Sequence, residues 1–289
     1  MTPEHLPIIP SRRLIAGLSL EVAEAGPPDG PLIVFLHGFP DLWQGWHLQL
    51  PSFLDAGFRV IAPNQRGYGD SDKPIGLAAY DLDLLAGDII ALVDRAGRST
   101  FNLVGHDWGG IIAWWVAARF PERVERMAVL SAPHPGVFKT YLRRSPTQLL
   151  RSWYVGFFQL PGLPEWLLSA NDFALLFGSV QGTSLPNVFD QSDRKYLRSG
   201  WSQRGALTAM LNYYRALARR SARSLQLRIK TPTLALFGRR DPTEEPGLIR
   251  ASARLCDDCR FIELAEARHW IQREESARVN AELLSFLTA

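Results

Sequence analysis

Phe101-Asn102-Leu103-Val104-Gly105-His106-Asp107-Trp108-Gly109-Gly110 joins an apolar strand to the start of a helix through a tight, glycine-rich turn. Residues 101–104 are apolar except for Asn102, as suits a strand buried on both faces of a parallel sheet. Gly105, Gly109 and Gly110 let the chain turn sharply while a side chain is held above the sheet. A helix over Trp108–Arg119 follows, which puts Asp107 at its N-terminus. Free N–H groups and the positive dipole end there keep a carboxylate ionised. This is the strand–turn–helix setting of a G-x-S-x-G nucleophile turn, with Asp in the Ser position. An Asp that merely caps a helix after a glycine-rich turn would have the same composition; the strand before it and the apolar helix after it favour the nucleophile.

Working outward, short runs rich in Val, Ile and Leu occur at Leu32–Leu36 and at residues 59–62, 127–130, 233–237 and 261–264. Leu18–Ala25 alternates better and reads as an antiparallel edge strand. Helical stretches fall between the strands at residues 79–96, 246–255 and 274–287. Alternating strands and helices imply an α/β fold with a mostly parallel, doubly wound sheet. The alternation stops after Pro133-His134-Pro135-Gly136 and resumes near Thr231-Pro232. The interval is rich in Leu, Arg, Trp and Tyr, with prolines at 161, 164 and 186, and shows no β-rich run. It reads as a helical insertion, a cap over residues 135–223 on a core of 1–134 and 224–289. An insertion at the carboxyl ends of the strands lies over the usual ligand crevice.

Composition excludes several classes. Of the 289 residues 46% are hydrophobic and 21% charged, which is globular rather than disordered. A net charge of +3 is too small and scattered to argue for nucleic acid. Two cysteines cannot build a disulfide framework. No signal peptide is visible, and no apolar run approaches the ~20 residues of a membrane span. The expectation is a soluble cytoplasmic protein, monomer or homodimer, that needs no cofactor or metal.

Asp in the Ser position changes the chemistry. A carboxylate attacking an ester gives an anhydride and gains little. A carboxylate displacing a leaving group from an sp³ carbon gives a stable ester that water can hydrolyse. Opening of an epoxide or displacement of halide is therefore favoured. The whole pattern resembles the α/β-hydrolase superfamily and, within it, the epoxide hydrolases, with haloalkane and haloacid dehalogenases as relatives. The resemblance rests on His37-Gly38-Phe39-Pro40, on Gln65-Arg66-Gly67-Tyr68-Gly69-Asp70-Ser71-Asp72, on the Asp107 turn, on Pro133-His134-Pro135 and on His269-Trp270.

That resemblance implies the rest of a site. The backbone amides of Phe39 and Trp108 form an oxyanion hole, and the bond before Pro40 is cis. His269, late in the chain, is the general base. Asp241 in Gly238-Arg239-Arg240-Asp241-Pro242 is the acid that orients it, with Glu244 and Glu245 as nearby rivals. Tyr154 and Tyr214, in cap stretches similar to those of the family, hold the epoxide oxygen; Tyr213 is the neighbour that could be mistaken for Tyr214. His37, Pro40, His106, Trp108 and Trp270 are expected around a pocket for a small apolar epoxide and water. His134 marks the cap junction, while His5 and His47 look peripheral.

The phenols decide between the two chemistries, because an alkoxide leaving group needs a proton and halide does not. Trp108 also suits a halide site, but Phe39 lacks the side-chain donor that a dehalogenase often has there, and Trp108 replaces the arginine of fluoroacetate-type enzymes. The implied function is conversion of epoxides to vicinal diols, with dehalogenation as the alternative and a non-catalytic ligand-binding protein as a distant one. Cys256-Asp257-Asp258-Cys259 reads as free thiols or an opportunistic disulfide. Trp114-Trp115 and Phe157-Phe158 read as core. Arg215, Arg219, Arg220 and Arg223 read as a solvated helix face rather than a nucleic-acid site.

Overall fold

The apolar runs pair into one eight-stranded sheet in the computed structural model, which describes residues 8–221 and 227–289. The strands are β1 (Ser11–Ile15), β2 (Leu18–Ala25), β3 (Leu32–Leu36), β4 (Arg59–Pro63), β5 (Phe101–His106), β6 (Val124–Leu130), β7 (Thr233–Gly238) and β8 (Cys259–Leu264). Their order is β1-β2-β4-β3-β5-β6-β7-β8. β1–β2 and β2–β4 are antiparallel, and every other neighbouring pair is parallel. The inner strands are apolar throughout because both faces are covered. Along β3, Val34 and Leu36 join one core layer with Leu103 and Trp114. Ile33 and Phe35 join the other with Val104 and Leu130.

Helices cover each face. α1 (Leu50–Asp55) and α12 (Ser276–Leu287) pack on one, α2 (Leu82–Arg95) and α3 (Trp108–Arg119) on the other. Between β6 and β7 lie α4 (Pro135–Leu142), α5 (Pro146–Arg151), α6 (Trp153–Phe157), α7 (Leu163–Thr183), α8 (Gln191–Trp201) and α9 (Ala206–Arg219). α10 (Pro246–Ala253) follows β7, and α11 (Ile271–Glu274) follows β8. α4 packs against α3 and α10, helices of the sheet layer. No helix among the described residues is long and apolar enough to cross a membrane.

Several local expectations needed correction. β1 was not foreseen: its outward residues include Arg12 and Arg13, so its apolar signal is short. The helix expected over 79–96 begins later, because Asp81 is extended and its carboxylate accepts from the Asp83 amide, capping α2. The helix expected over 274–287 breaks at Glu275, which separates α11 from α12.

At two of its positions the basic run is paired rather than solvated. Arg215 pairs with Glu165 at 2.7 Å and donates to the Phe158 and Leu160 carbonyls. Arg220 pairs with Asp81 and Asp83. Arg219 is exposed, and Arg223 lies outside the described residues, as does His5. Cys256 and Cys259 are free, half-buried thiols.

Candidate active site

Asp107 leaves β5 with φ 49° and ψ −119°, a backbone conformation that side chains rarely adopt. Such strain costs about 1–3 kcal/mol and persists only where the surroundings impose it. Here they do. A Cβ on Gly105 would collide with the Gly109 backbone, one on Gly109 with the Leu36 carbonyl oxygen, and one on Gly110 with Ala132. The turn therefore admits only glycine at these places. Gly109→Ala is expected to destabilise the fold by about 1–3 kcal/mol, the usual cost of overpacking, because backbone cannot step aside as a flexible side chain can. A denaturation midpoint equal to that of the parent protein would show slack in the turn that this packing denies.

The loop after β3 comes up beside the turn. Phe39-Pro40 is cis, as the resemblance implied. The Phe39 amide donates to Asp107 Oδ1 at 2.7 Å, and the Trp108 amide also hydrogen-bonds this carboxylate. The carboxylate is thus held by two N–H groups, and its Oδ2 lies 3.8 Å from His269 Nε2.

His269 follows β8. Its Nδ1 lies 2.8 Å from Asp241 Oδ2. Asp241 Oδ1 accepts from the Thr243 amide and hydroxyl, both at 2.7 Å. Among the rivals, Glu245 instead accepts from the Ser145 hydroxyl at 2.9 Å. Glu244 is buried behind the loop, with Oε2 lacking a hydrogen-bond partner. Burial, together with Asp241, raises its carboxyl well above the usual range.

Burial disfavours a charged imidazole at 269, but Asp241, Asp107 and Glu244 outweigh it and raise its pKa to about 10. Burial also raises Asp107, opposed by His269 and by the Phe39 and Trp108 amides. Asp107 and His269 thus each favour the charged form of the other.

Over Asp107 lies a cavity of about 380 Å³, mostly apolar. Phe39, Pro40, His269 and Trp270 line it from the sheet layer, and Tyr154, Tyr214, Phe157 and Leu176 from the insertion. The two tyrosine rings are 6.0 Å apart and nearly perpendicular. Burial and the Asp107 charge raise both phenols well above their ordinary value, so they remain donors. Tyr213, the neighbour in question, faces away: its hydroxyl donates to the Arg66 carbonyl at 2.7 Å.

Three expected pocket residues stand behind the cavity wall. His37 bonds Gly38 O through Nδ1 and accepts from the Gln65 amide at 3.2 Å, so it orders the loop. His106 is fully buried, with Nε2 3.0 Å from the His269 carbonyl oxygen. Burial and the nearby His269 charge hold it neutral. Trp108 packs edge-on against Tyr214 at 4.9 Å, and its indole hydrogen-bonds that residue. None of the three is among the residues that line the cavity, which chain position alone does not reveal. The Phe157-Phe158 pair, expected as core, lines the cavity. His47, expected at the periphery, is half-buried near Arg273.

Other participants carried no sequence signal. Arg151 donates to the Asp241 and Glu244 carbonyls at 2.8 and 2.7 Å. Gln148, fully buried, donates to the Thr243 carbonyl and accepts from the Glu245 amide, both at 2.8 Å. α5 thereby grips the acid loop. At the other side Thr183 accepts from the His269 amide and the Trp270 indole. Under the insertion, Asp41, Asp193, Tyr196 and Arg273 form a buried polar group. Short polar side chains at unremarkable spacing give no periodic pattern that could have announced any of these.

The family model of the alpha/beta hydrolase fold matches residues 31–276. The chain is 42% identical to the AB hydrolase superfamily protein YfhM of Bacillus subtilis, over 94% of this chain and 95% of that one. It is 38% identical to human epoxide hydrolase 4, over 94% of this chain and 76% of that protein. Its structure is similar to the crystal structure of Bacillus megaterium epoxide hydrolase in complex with an inhibitor, with TM-score 0.88 and 30% identity, covering 96% of this chain and 100% of that one. An aspartate-bearing turn, a paired histidine and these relatives agree: the chain belongs to the epoxide hydrolase family of the α/β-hydrolase fold.

Proposed function

We propose that this protein hydrolyses small apolar epoxides to vicinal diols through a covalent ester on Asp107. One observation carries the reading: Asp107, held at a strained turn, faces an apolar cavity across which two protonated tyrosines, Tyr154 and Tyr214, converge. Asp107 Oδ2 attacks an epoxide carbon. That C–O bond breaks, and the alkoxide takes a proton from Tyr154 or Tyr214. Water, deprotonated by His269, then adds to the carbonyl carbon of the ester. The Phe39 and Trp108 amides stabilise the resulting oxyanion at Oδ1. Before the water step the tyrosinate regains its proton from the initial His269 imidazolium, and collapse then expels the diol and restores the Asp107 carboxylate beside the imidazolium formed from water. The division into a core of 1–134 and 224–289 and a cap of 135–223 belongs to the same proposal, with the cap supplying the acid and the core the nucleophile and base.

The electrostatics suit two steps. While Asp107 is charged, His269 is an imidazolium and cannot act as a base. Alkylation neutralises Asp107, which removes one of the charges raising His269. The imidazole pKa then falls, and the base becomes available only once the ester exists. A base acts unprotonated, so hydrolysis of preformed alkyl-enzyme is expected to accelerate with rising pH and to level off below about pH 10. Rapid-mixing measurements of ester decay across pH check this; a decay rate independent of pH would exclude His269 as the base.

The direct test is His269→Gln. Asp107 does not need His269 to attack, whereas water does. The variant is expected to accumulate the alkyl-enzyme, seen in intact mass as the protein plus one epoxide. Folded variant whose mass stays unmodified, with an epoxide that the parent protein turns over, would overturn the two-step reading.

A further inference from the structure

Eleven large hydrophobic side chains are exposed among the described residues, and seven of them fall between residues 149 and 175 of the insertion. On α5 and α6 they include Leu149, Leu150 at 75% exposure and Trp153 at 67%. Scattered singly, exposed leucines need no explanation; gathered on one short segment, they do. The segment has an inner and an outer side. Gln148 and Arg151 turn inward to grip the acid loop, while Leu149 and Leu150 turn out.

Charge accompanies the patch. The sequence contains no Asp or Glu between Glu125 and Glu165, and Arg143 and Arg144, just before α5, are exposed. The patch also meets the cavity: Trp153 and Leu175 are at once strongly exposed and part of its lining. An apolar guest reaching Asp107 passes a rim of exposed Trp and Leu on a segment that also carries exposed arginines.

We propose that this outer face of α5 and α6 docks the protein on an anionic phospholipid surface, with the cavity mouth turned to the lipid. Exposed leucine and tryptophan beside basic residues is the composition that seats in a headgroup layer, the apolar groups immersed and the cations on phosphate. A second copy of this chain fits less well, because two such faces would oppose their arginines with no carboxylate between them. Lipid docking gives the cavity its purpose: compounds apolar enough to fill it partition into bilayers, and the mouth opens where they are concentrated. This last step rests on the epoxide reading; the docking itself does not.

The experiment is sedimentation of the full-length protein with vesicles, either of phosphatidylcholine alone or of equal parts phosphatidylcholine and phosphatidylglycerol. The protein is expected to pellet with the anionic vesicles at least about tenfold more strongly, and less so as salt screens the charges. Arg143→Glu/Arg144→Glu and, separately, Leu149→Ser/Leu150→Ser are each expected to weaken that binding at least about tenfold. None of these four residues lines the cavity, so both variants keep parent diol formation from a water-soluble epoxide. Equal binding to both vesicles, no binding, or variants that bind as the parent does would overturn the docking. So would a dimer in sedimentation velocity that Leu149→Ser/Leu150→Ser dissolves, since the face would then belong to a second copy. Vesicle binding without turnover of any epoxide would retain the docking and remove the catalytic reading instead.

Discussion

Asp107→Asn is expected to end diol formation, with a loss of about 10⁵-fold or more, the scale on which removing a covalent nucleophile acts. An amide oxygen is too weakly nucleophilic to open the ring, and no other side chain occupies its position over the cavity. The fold should survive. Asn is close to Asp in size and tolerates a positive φ, here 49°. Its carbonyl oxygen can keep the 2.7 Å bond from the Phe39 amide. The change has a second readout: removing the Asp107 charge lowers the His269 pKa from about 10. Product chromatography, a melting curve and an NMR titration of His269 measure all three. Slow recovery of activity on storage is consistent with deamidation back to Asp. Pure variant of verified mass that turns over stably at the parent rate would sink the covalent mechanism.

The second large effect is expected from Tyr154→Phe/Tyr214→Phe. Each change keeps the ring, and with it the aromatic packing that joins Tyr214 to Phe39, Phe158 and Trp108. Only the donors go. With one hydroxyl left, single variants should open epoxides about tenfold to a thousandfold more slowly, the range for one general acid or oxyanion donor. Without either, the alkoxide must leave unprotonated, and the double variant should be nearly inactive toward epoxides. Tyr213→Phe is the control. It orphans the Arg66 carbonyl at a cost of about 1 kcal/mol but touches nothing in the cavity. Halide needs no proton to leave, so release of halide from chloroalkanes or bromoalkanes should be far less sensitive. A double variant that opens epoxides at the parent rate would remove the tyrosines from the mechanism. If it also releases halide as fast as the parent, the dehalogenase alternative takes the lead.

The stretch from Phe101 to Gly110 shows why so much of this architecture is legible from one chain. Burial on both faces demands an unbroken apolar run, and a turn with no space for Cβ demands glycine. Both demands act on neighbours in sequence, so they are written there. The order of strands and helices around Asp107, the cis bond at Pro40 and the pairing of Asp241 with His269 follow from that local grammar and the resemblance it revealed. β1 escaped because it is a five-residue edge strand in which only Ile15 is buried and Ser11, Arg12 and Arg13 are polar.

What only the tertiary structure decided concerns side-chain direction and long-range partners. Tyr213 and Tyr214 are adjacent and chemically identical. About 100° of helical rotation between consecutive residues sends one to the Arg66 carbonyl and the other into the cavity. Asp241 and Glu244 are both acidic and three residues apart, yet the first hydrogen-bonds His269 and the second is buried with Oε2 lacking a partner. Arg215 and Arg220 look solvated until Glu165, Asp81 and Asp83 arrive from distant chain. The sequence by itself determined which residues can do chemistry, because residue type and local turn set that. Folding determined which of them meet, because burial, charge pairing and desolvation depend on neighbours that the chain brings from 50 to more than 160 residues away.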